Sequence, residues 1–526
     1  MAIVVTPDLT LIHACDAAAW SGGELDTDMK VQGTGCLGDF VDNELGTLRT
    51  YTLAGSTDMS NGEHLYVWMQ CFGIVNTQAL GGYRIYAEDS SANNATWYAG
   101  GNDTHGTGWQ LIIADLNATP DIANGTLDTS DITVVGIQFY TITDAPVQGA
   151  NEFNNCYWDV MRYGTGLTIT SGASDGITFE DIYAVDNHSD YKYGVVTYKD
   201  GTYFINGTLT FGDASGTGNI DFDDSSQIVL FVDSDYYAVD FNNIIVVGNG
   251  TGVTNFVMGD KVGGQGVSGC TLKAVDDGTA FAFTATDTDI DVLTIYGTTF
   301  FNAGIISLPV TASNREFITC TFESCEHVLP STCIMQYCTF VSADDEGAII
   351  TNTSHNLSDS TLISSPACTE ITISGTFTFD NMLFYGSNGS TLYDLENISG
   401  GLVTINATNG TNINSSYVLN SGSSTTVINN AVNITLVVKD ADNIAIENAQ
   451  VAVYTTSGST VLMNEDTTAL GVATETYNYS AETDIYYRVR KSSAGFTRYI
   501  PVRGVGTIDS GGFTATVIMY EDINIQ

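Results

Sequence analysis

The chain has 526 residues, 43% of them apolar, which is too long for one compact core, so two to four domains are expected. It carries 61 acidic but only 15 basic residues, a formal net charge of -46 at pH 7. Because this much negative charge repels phosphate backbones and anionic lipids, nucleic acid and membrane surfaces are poor partners.

The acidic composition has two possible explanations, a saline environment or the surface of a virus particle. A saline or hypersaline habitat would screen the repulsion within the folded chain, and an ordinary virus particle would gain a well-solvated acidic surface.

The first residues, MAIVVTPDLTLIHACDAAAW, show no basic segment followed by an apolar run, so no secretory signal is predicted and we expect synthesis in a host cytoplasm. No apolar run reaches the roughly 18 residues that span a bilayer, so membrane insertion is not expected.

Residues 1–168 contain all five tryptophans and short strand-like runs separated by polar turns. Runs such as HLYVWMQCFGIV and GWQLIIADL are typical of a β-sandwich. In this pattern the segment resembles lectin-like or carbohydrate-binding jelly rolls, which implies a jelly-roll-like sandwich. Aromatic rings in such a sandwich can stack on sugars, so Trp97, Tyr98 and Trp109 are the candidate carbohydrate-binding residues. The alternative for each of them is burial in the core.

Residues 169–431 show a repeat in which a small residue, a polar or neutral residue and a large apolar residue end a short strand. In chain order the repeats end at Leu272, Phe300, Phe322, Phe340, Leu362 and Leu383. Their spacings are 28, 22, 18, 22 and 21 residues. Because the strands are short and no helices intervene, the repeat predicts a right-handed parallel β-helix whose coils bury their faces against one another.

The small position of this repeat holds a cysteine three times. In chain order it is occupied by Cys270, Thr298, Cys320, Cys338, Ser360 and Asn381. A column of small side chains that fills the core accounts for this pattern. A zinc site built from two cysteine pairs, Cys320 with Cys325 and Cys333 with Cys338, is the alternative. Disulfides are not expected in a protein assembled in a cytoplasm.

Three aspartates alternate within the same region. If Asp287, Asp289 and Asp291 lie on one strand, their carboxylates project from one face and repel one another. A bound calcium ion would offset that repulsion, and these residues are therefore the candidate metal ligands. Exposure to screening salt is the alternative, and no other cofactor is predicted.

Residues 432–526 contain a strand-turn-strand opening marked by Val438, Asp440, Asn448, Ala449, Val451, Thr467 and Gly471. In these positions the segment resembles the carboxypeptidase regulatory-like and transthyretin-type β-sandwiches. The resemblance implies an Ig/transthyretin-like sandwich that serves as a binding or spacer module. This segment also holds six of the fifteen basic residues, which indicates either docking on an acidic partner or a solvated strand face.

Catalytic motifs are weak. Gly172 to Gly176 matches G-x-S-x-G, but it lies in a polar turn between strands, whereas the hydrolase elbow needs a helix after it. Carboxylates are plentiful, and a polysaccharide-cleaving pair could come from among Asp221, Asp223, Asp224, Asp344, Asp345 and Glu346. With 61 acids in the chain such pairs arise by chance, so a binding function is favoured over an enzyme.

The order of a lectin-like sandwich (1–168), a β-helix (169–431) and a small terminal sandwich (432–526) resembles the virion surface proteins of tailed viruses, which include tail spikes, fibres and head turrets. The resemblance implies a homotrimer or another symmetric oligomer that contacts other virion proteins and binds a host surface glycan. We expect a structural protein on the virion surface that serves host attachment. A polysaccharide depolymerase and a purely architectural capsid decoration are the alternatives.

Overall fold

The computed structural model describes residues 3–41, 45–61, 63–71, 81–99, 108–141, 155–171, 176–188, 192–222, 228–231, 245–274, 281–309, 314–342, 347–351, 356–456, 460–479, 482–492 and 497–523. The chain divides into two compact units, Met1–Cys325 and Glu326–Gln526. Strands dominate both units, which confirms the all-β prediction. Among the described residues, no helix has the length and apolar character that a bilayer crossing requires.

The first unit begins with a β-sandwich. Its strands are β1 (Val4–His13), β2 (Glu24–Asp26), β3 (Cys36–Phe40), β4 (Arg49–Thr57), β5 (His64–Cys71), β6 (Tyr83–Asp89), β7 (Asn94–Tyr98), β8 (Gln110–Asp115), β9 (Ile122–Asn124), β10 (Ile132–Phe139) and β11 (Asn155–Ser171). One antiparallel sheet has the order β2-β3-β11-β5-β8, and β1 also pairs with β11. The facing sheet has the order β4-β10-β6-β7-β9. Both sheets contribute to one apolar core, in which Trp158 of β11 and Trp97 of β7 are buried.

Strand β11 carries the chain from the sandwich into the β-helix. Its first half pairs antiparallel with β3 and β5, and from Gly166 onward it pairs in parallel with β14 (Thr208–Phe211). A Cβ atom on Gly166 would lie 1.9 Å from the carbonyl oxygen of Thr208. Glycine is therefore required where the strand exchanges one set of neighbours for the other.

The described part of the rest of the first unit consists mainly of short parallel strands, together with one helix and the antiparallel pairs β12–β13 and β19–β20. These elements are α1 (Phe179–Asp186), β12 (Val196–Lys199), β13 (Thr202–Ile205), β14, β15 (Thr217–Phe222), β16 (Ile228–Phe231), β17 (Ile245–Val247), β18 (Val253–Met258), β19 (Asp260–Val262), β20 (Gln265–Val267), β21 (Thr271–Ala274), β22 (Phe281–Thr284), β23 (Ile290–Tyr296), β24 (Thr299–Phe301), β25 (Ala303–Ser307), β26 (Asn314–Ile318) and β27 (Thr321–Glu323). Three parallel sheets run side by side: β13-β16-β21-β24-β27, β14-β17-β22-β25 and β15-β18-β23-β26. Three strands per coil, each paired with its counterpart in the next coil, make the predicted parallel β-helix.

The second unit begins with coils of the same kind. Its strands are β28 (His327–Leu329), β29 (Ile334–Gln336), β30 (Thr339–Val341), β31 (Gly347–Thr351), β32 (Asn356–Ser358), β33 (Thr361–Ile363), β34 (Ala367–Ile371), β35 (Gly375–Asp380), β36 (Leu383–Tyr385), β37 (Tyr393–Asn397), β38 (Leu402–Thr408), β39 (Val418–Asn420), β40 (Thr425–Asp440), β41 (Gln450–Thr455), β42 (Val461–Asp466), β43 (Val472–Asn478), β44 (Thr483–Lys491), β45 (Tyr499–Ile508) and β46 (Phe513–Met519). Parallel pairing runs through β28-β31-β34-β37-β39, β29-β32-β35-β38-β40 and β30-β33-β36.

The predicted apolar column exists within each unit. Leu272 lies beside Phe300 and Phe300 beside Phe322, and the last two rings stack at 5.2 Å. In the second unit the register pairs Leu362 with Phe384. The sequence prediction was therefore one residue out in the final repeat, because it aligned Leu383 with Leu362. The true spacing there is 22 residues, as in two earlier repeats.

The small residues of the repeat have a further role. In four coils the residue before the small one turns the chain in the left-handed region, as Tyr337 (φ 57°) and Asp359 (φ 49°) do. The small side chain then donates a hydrogen bond to the carbonyl two residues back, as Ser360 does to Ser358 at 2.8 Å. The thiol of Cys338 lies 3.6 Å from the Gln336 oxygen in the same way. In the final repeat Asn381 is itself the left-handed residue (φ 50°), so Met382, and not the predicted Asn381, occupies the small position. The cysteines of the repeat are buried thiols, and no group of three potential ligands for a metal occurs among the described residues.

The last strands form a second β-sandwich. Strand β40 pairs in parallel with β38 up to Asn430, and from Ala431 it joins β43 and β46 in a new sheet. The facing sheet has the order β42-β41-β44-β45. Thr467, one of the residues of the predicted motif, accepts the amide of Ala449 at 2.8 Å and donates to the Ile446 oxygen at 2.6 Å, so its hydroxyl fixes the turn before β41.

Candidate functional site

Trp97 lies in the core of the first sandwich. It is 2% exposed, and its indole nitrogen donates to the carbonyl oxygen of Ala118 at 3.1 Å. An indole with both faces packed against core side chains has no free face for a sugar. Trp97 is therefore a core residue, the alternative that its sequence context left open.

Tyr98 lies on the opposite face of β7 and is half-buried. The guanidinium carbon of Arg84 lies 4.2 Å from the centre of its ring. A Cβ atom on Gly81 would lie 2.8 Å from the same ring, so the backbone there is in close contact with it. The Tyr98 ring is thus already engaged by a cation and by the chain, which leaves little of it for a ligand.

Trp109 precedes β8 and is half-buried on the outer face of the first sheet. Its ring lies 6.5 Å from that of Tyr157, which packs over Gly38 of the neighbouring strand. Tyr157 is only 8% exposed. The structure therefore pairs Trp109 with one further aromatic ring but does not bring it together with Trp97 or Tyr98.

The three aspartates of the predicted metal site do not share a strand face. Asp287 and Asp289 lie in the turn before β23, and only Asp291 belongs to the strand. The Asp289 carboxylate accepts the amide of Asn249 at 3.0 Å and the hydroxyl of Thr254 at 2.8 Å. The Asp287 carboxylate accepts the amide of Gly250 at 3.2 Å. The prediction of alternation was wrong because turn carboxylates cap backbone amides of the preceding coil.

Most of the carboxylates considered for catalysis lie outside the described residues. These are Asp223, Asp224, Asp344, Asp345 and Glu346. Asp221 is described and is exposed on β15. Residues 172–175 of the G-x-S-x-G match also lie outside the described part of the chain.

Two fully buried carboxylates have pKa values raised by burial. Asp159 accepts the amides of Val31 at 2.7 Å and Gln32 at 3.1 Å, and its pKa rises to about 6. Asp186 accepts the amide of Val196 at 2.9 Å, and its pKa rises to about 7. Both side chains are 0% exposed, so each holds a backbone segment rather than facing a substrate.

Three tyrosines gather where the β-helix begins, and we name Tyr183, Tyr198 and Tyr203 the tyrosine platform. The rings of Tyr198 and Tyr203 lie 4.8 Å apart, and Tyr183 lies 6.0 Å from Tyr198. Tyr198 is 49% exposed, whereas Tyr203 is 7% exposed and is supported from behind by Phe179 at 6.4 Å. The platform therefore presents an open aromatic ring on a packed aromatic base.

Local sequence determines the position of each platform ring. Asp200 and Gly201 both have positive φ, which closes a two-residue hairpin between β12 and β13 and places Tyr198 directly opposite Tyr203. Tyr183 lies on α1, whose first turn is closed by a reciprocal pair of hydrogen bonds between Thr178 and Asp181. The helix buries Phe179, Ile182 and Asp186 on one face, and Tyr183 lies beside that face.

Polar groups border the platform. The side-chain amide nitrogen of Asn187 donates to the Tyr183 hydroxyl at 2.8 Å, and the Lys192 ammonium donates to the side-chain oxygen of Asn187 at 2.7 Å. Lys199 and Asp200 are exposed at the hairpin turn. Aromatic surface beside oriented donors and acceptors is suited to a ligand with one apolar face and many hydroxyls, such as a sugar.

No protein-family model and no curated protein matches the chain. Among solved structures, it is similar to the family 11 carbohydrate-binding module from Clostridium thermocellum in complex with a β-1,3-1,4-mixed-linked tetrasaccharide, at 12% identity over 30% of this chain and 94% of the module, with a TM-score of 0.21. It is also similar to the catalytic domain of a GH87 α-1,3-glucanase in complex with nigerose, at 9% identity over 80% of this chain and 98% of that domain, with a TM-score of 0.16. At such scores neither structure defines a family for this chain.

Proposed function

We propose that this protein is a virion surface protein that attaches to a host glycan through the tyrosine platform and does not cleave it. One observation carries the glycan-binding part of the proposal. Tyr198 leaves half of its surface exposed while its neighbours Tyr203 and Tyr183 hold it in place at 4.8 and 6.0 Å. A pre-positioned ring loses little conformational entropy when a sugar stacks on it.

The architecture supports display on a particle. Within each unit the coils pair only with their neighbours, and stacked coils of this kind are suited to separating a binding surface from an attachment point. Several copies on one particle would bind several sugars at once, and the resulting avidity would give stable attachment although each single contact is weak. The acidic surface fits a saline setting, in which salt screens its repulsion from anionic host envelopes.

Binding of the full-length protein to polysaccharides extracted from candidate host envelopes, measured by calorimetry, tests the proposal. Tyr198→Ala should weaken binding about tenfold, since loss of one stacked ring removes roughly 1.4 kcal/mol. Tyr385→Ala is the matched control, because Tyr385 is also 49% exposed but lies in the other unit. Equal affinities of the two variants would contradict assignment of the site to the platform.

The same samples separate binding from cleavage. New reducing ends after prolonged incubation would identify a depolymerase and contradict the non-catalytic part of the proposal. Antibody labelling of purified particles tests the virion location, and particles that remain unlabelled by an antibody active on the free protein would contradict it.

A further inference from the structure

The outer face of the sheet β42-β41-β44-β45 carries a cluster of positive charge, which we name the arginine face. It is formed by Arg488 and Arg490 of β44 and Arg503 of β45, beside Tyr454 and Tyr486. Residues 432–526 hold six of the fifteen basic residues but only eleven of the 61 acidic ones. The arginine face is therefore a local exception in a strongly acidic chain.

Strand register determines this arrangement. Arg488 lies directly opposite Arg503 on the neighbouring strand, and all three arginines are exposed. Tyr486 lies two residues before Arg488 on β44. On the neighbouring strands it is flanked by Tyr454 of β41 on one side and by Val505 of β45 on the other. Val505 is 78% exposed, so an apolar row adjoins the row of arginines.

No ion pair of the described residues involves an arginine of this face, and a carboxylate on the same face, Asp466 of β42, lies across Gln450 from Arg490. The ion pairs of the described residues instead join Arg49 to Asp39, Lys261 to Glu316 and His327 to Glu326. Arg490 donates to the side-chain oxygen of Gln450 at 2.5 Å, which leaves its charge unpaired. Two like charges directly opposite each other destabilise a sheet, so an anionic partner would relieve strain that the isolated chain retains.

The composition of the face favours a protein partner. Arginine and tyrosine are the residues enriched at the centres of protein interfaces. The rings of Tyr454 and Tyr486 stack on each other at 5.0 Å and 15°, so one face of each ring is already covered and less aromatic surface remains for a sugar. The exposed Val505 beside them has no role in binding a hydrated polyanion, but it adds apolar area to a protein contact.

We propose that the arginine face docks on the acidic surface of a second copy of this chain. Residues 1–431 carry fifty acidic but only nine basic residues, so each copy supplies the complementary charge. Two arginine faces repel each other, so the contact joins unlike surfaces of the two copies. Contacts of that type close into rings when the rotation between copies allows it.

The test is sedimentation velocity of the full-length protein at one ionic strength over a range of concentrations. The wild type should self-associate, and the double reversal Arg488→Glu with Arg503→Glu should weaken that association at least about tenfold. The control reverses Lys30 and Arg498, which are also exposed and belong to neither the arginine face nor the tyrosine platform, to glutamate and so changes the net charge equally. The control should associate as the wild type does, and matching thermal transitions would show that all three proteins are folded.

A mixing experiment tests whether the contact is one-sided. Labelled Arg488→Glu/Arg503→Glu protein keeps its acidic surface, so it should bind wild-type copies although it does not bind itself. A monomeric wild type, equal weakening by both double variants, or no binding in the mixture would each overturn the proposal. Loss of glycan binding by the arginine variant, with the wild type monomeric, would assign the face to an anionic glycan instead.

Discussion

The sulfur atoms of Cys71 and Cys156 lie 3.5 Å apart in the core of the first sandwich, where the two residues face each other across β5 and β11. A disulfide requires Cβ atoms about 3.5–4.5 Å apart, and directly opposed residues of antiparallel strands come close to that separation. We expect oxidised glutathione to join them, as the two thiols give two electrons and two protons to the oxidant. Burial raises the pKa of the Cys156 thiol, so little thiolate forms and the reaction should be slow at neutral pH.

Mass spectrometry of peptides from the oxidised protein, digested without reductant, would detect the cross-link. Cys71→Ser should abolish it, whereas Cys270→Ser, which removes a buried thiol from the β-helix, should leave it unchanged. A Cys156 cross-link to any other cysteine in the wild type would contradict the prediction.

The β-helix could be predicted from sequence because inward side chains recur at a nearly constant spacing along the coils. The error at Leu383 has a physical cause. Met382, Leu383 and Phe384 are three consecutive apolar residues, so hydrophobicity alone allows two registers. The left-handed residue Asn381 decides between them, because it aligns with Asp359, and a positive φ leaves no clear trace in the sequence.

The candidate sites were harder to predict, since a residue type does not reveal which face of a sheet it occupies. Trp97 is in the core whereas its neighbour Tyr98 is outside it, and nothing in the sequence of the isolated strand distinguishes the two orientations. The tyrosine platform did leave a signal. Asp-Gly between Tyr198-Lys and Thr-Tyr203 is a two-residue hairpin turn, which places the two rings opposite each other.

Asp186 should make the protein less stable as pH rises. Its folded-state pKa of about 7 lies above the ordinary 3.8, because burial disfavours the charged carboxylate more than the Arg162 charge favours it. The folded state therefore binds an extra proton between these two values. The contribution of the protonated Asp186 carboxyl to the stability of the folded state is fully present below about pH 4 and is lost as pH rises through about 7.

Urea unfolding of the wild type and of Asp186→Asn at pH 5, 6, 7 and 8 measures this effect. The asparagine keeps an acceptor for the Val196 amide but does not ionise, so the variant should gain stability relative to the wild type as pH rises. A constant difference between the two proteins across this range would show that Asp186 does not titrate there. Asp221→Asn, at an exposed site, is the control for loss of one acidic charge.

Added salt should stabilise the protein against urea. A formal charge of -46 repels itself within the folded chain, and the Debye length falls from about 10 Å at 0.1 M to about 3 Å at 1 M salt. The urea midpoint should therefore rise steeply between about 0.1 and 2 M NaCl. Sucrose, which strengthens burial without screening charge, is the control. A flat response to NaCl would remove the argument for a saline habitat.

Ser360 tests whether the small column of the β-helix acts through its hydrogen bonds. Its hydroxyl donates to the backbone oxygen of Ser358 at 2.8 Å and accepts the backbone amide of Cys338 at 3.1 Å. The Ser360 side chain itself is buried. Ser360→Ala leaves that amide and that carbonyl without the hydroxyl partner, so we expect a loss of about 1–3 kcal/mol in the free energy of unfolding. Ser360→Cys keeps a weak donor of the kind already present at Cys338 and should lose less.

The two Ser360 variants also distinguish a hydrogen-bonded column from simple core filling. If volume alone mattered, alanine would leave only a small cavity and cysteine would overfill the site, so the order of stability would reverse. Urea unfolding of both variants decides between the two orders. Thr298 in the first unit also follows a left-handed residue, Gly297, and its hydroxyl lies 3.4 Å from the Tyr296 oxygen, so the result for Ser360 should hold there as well.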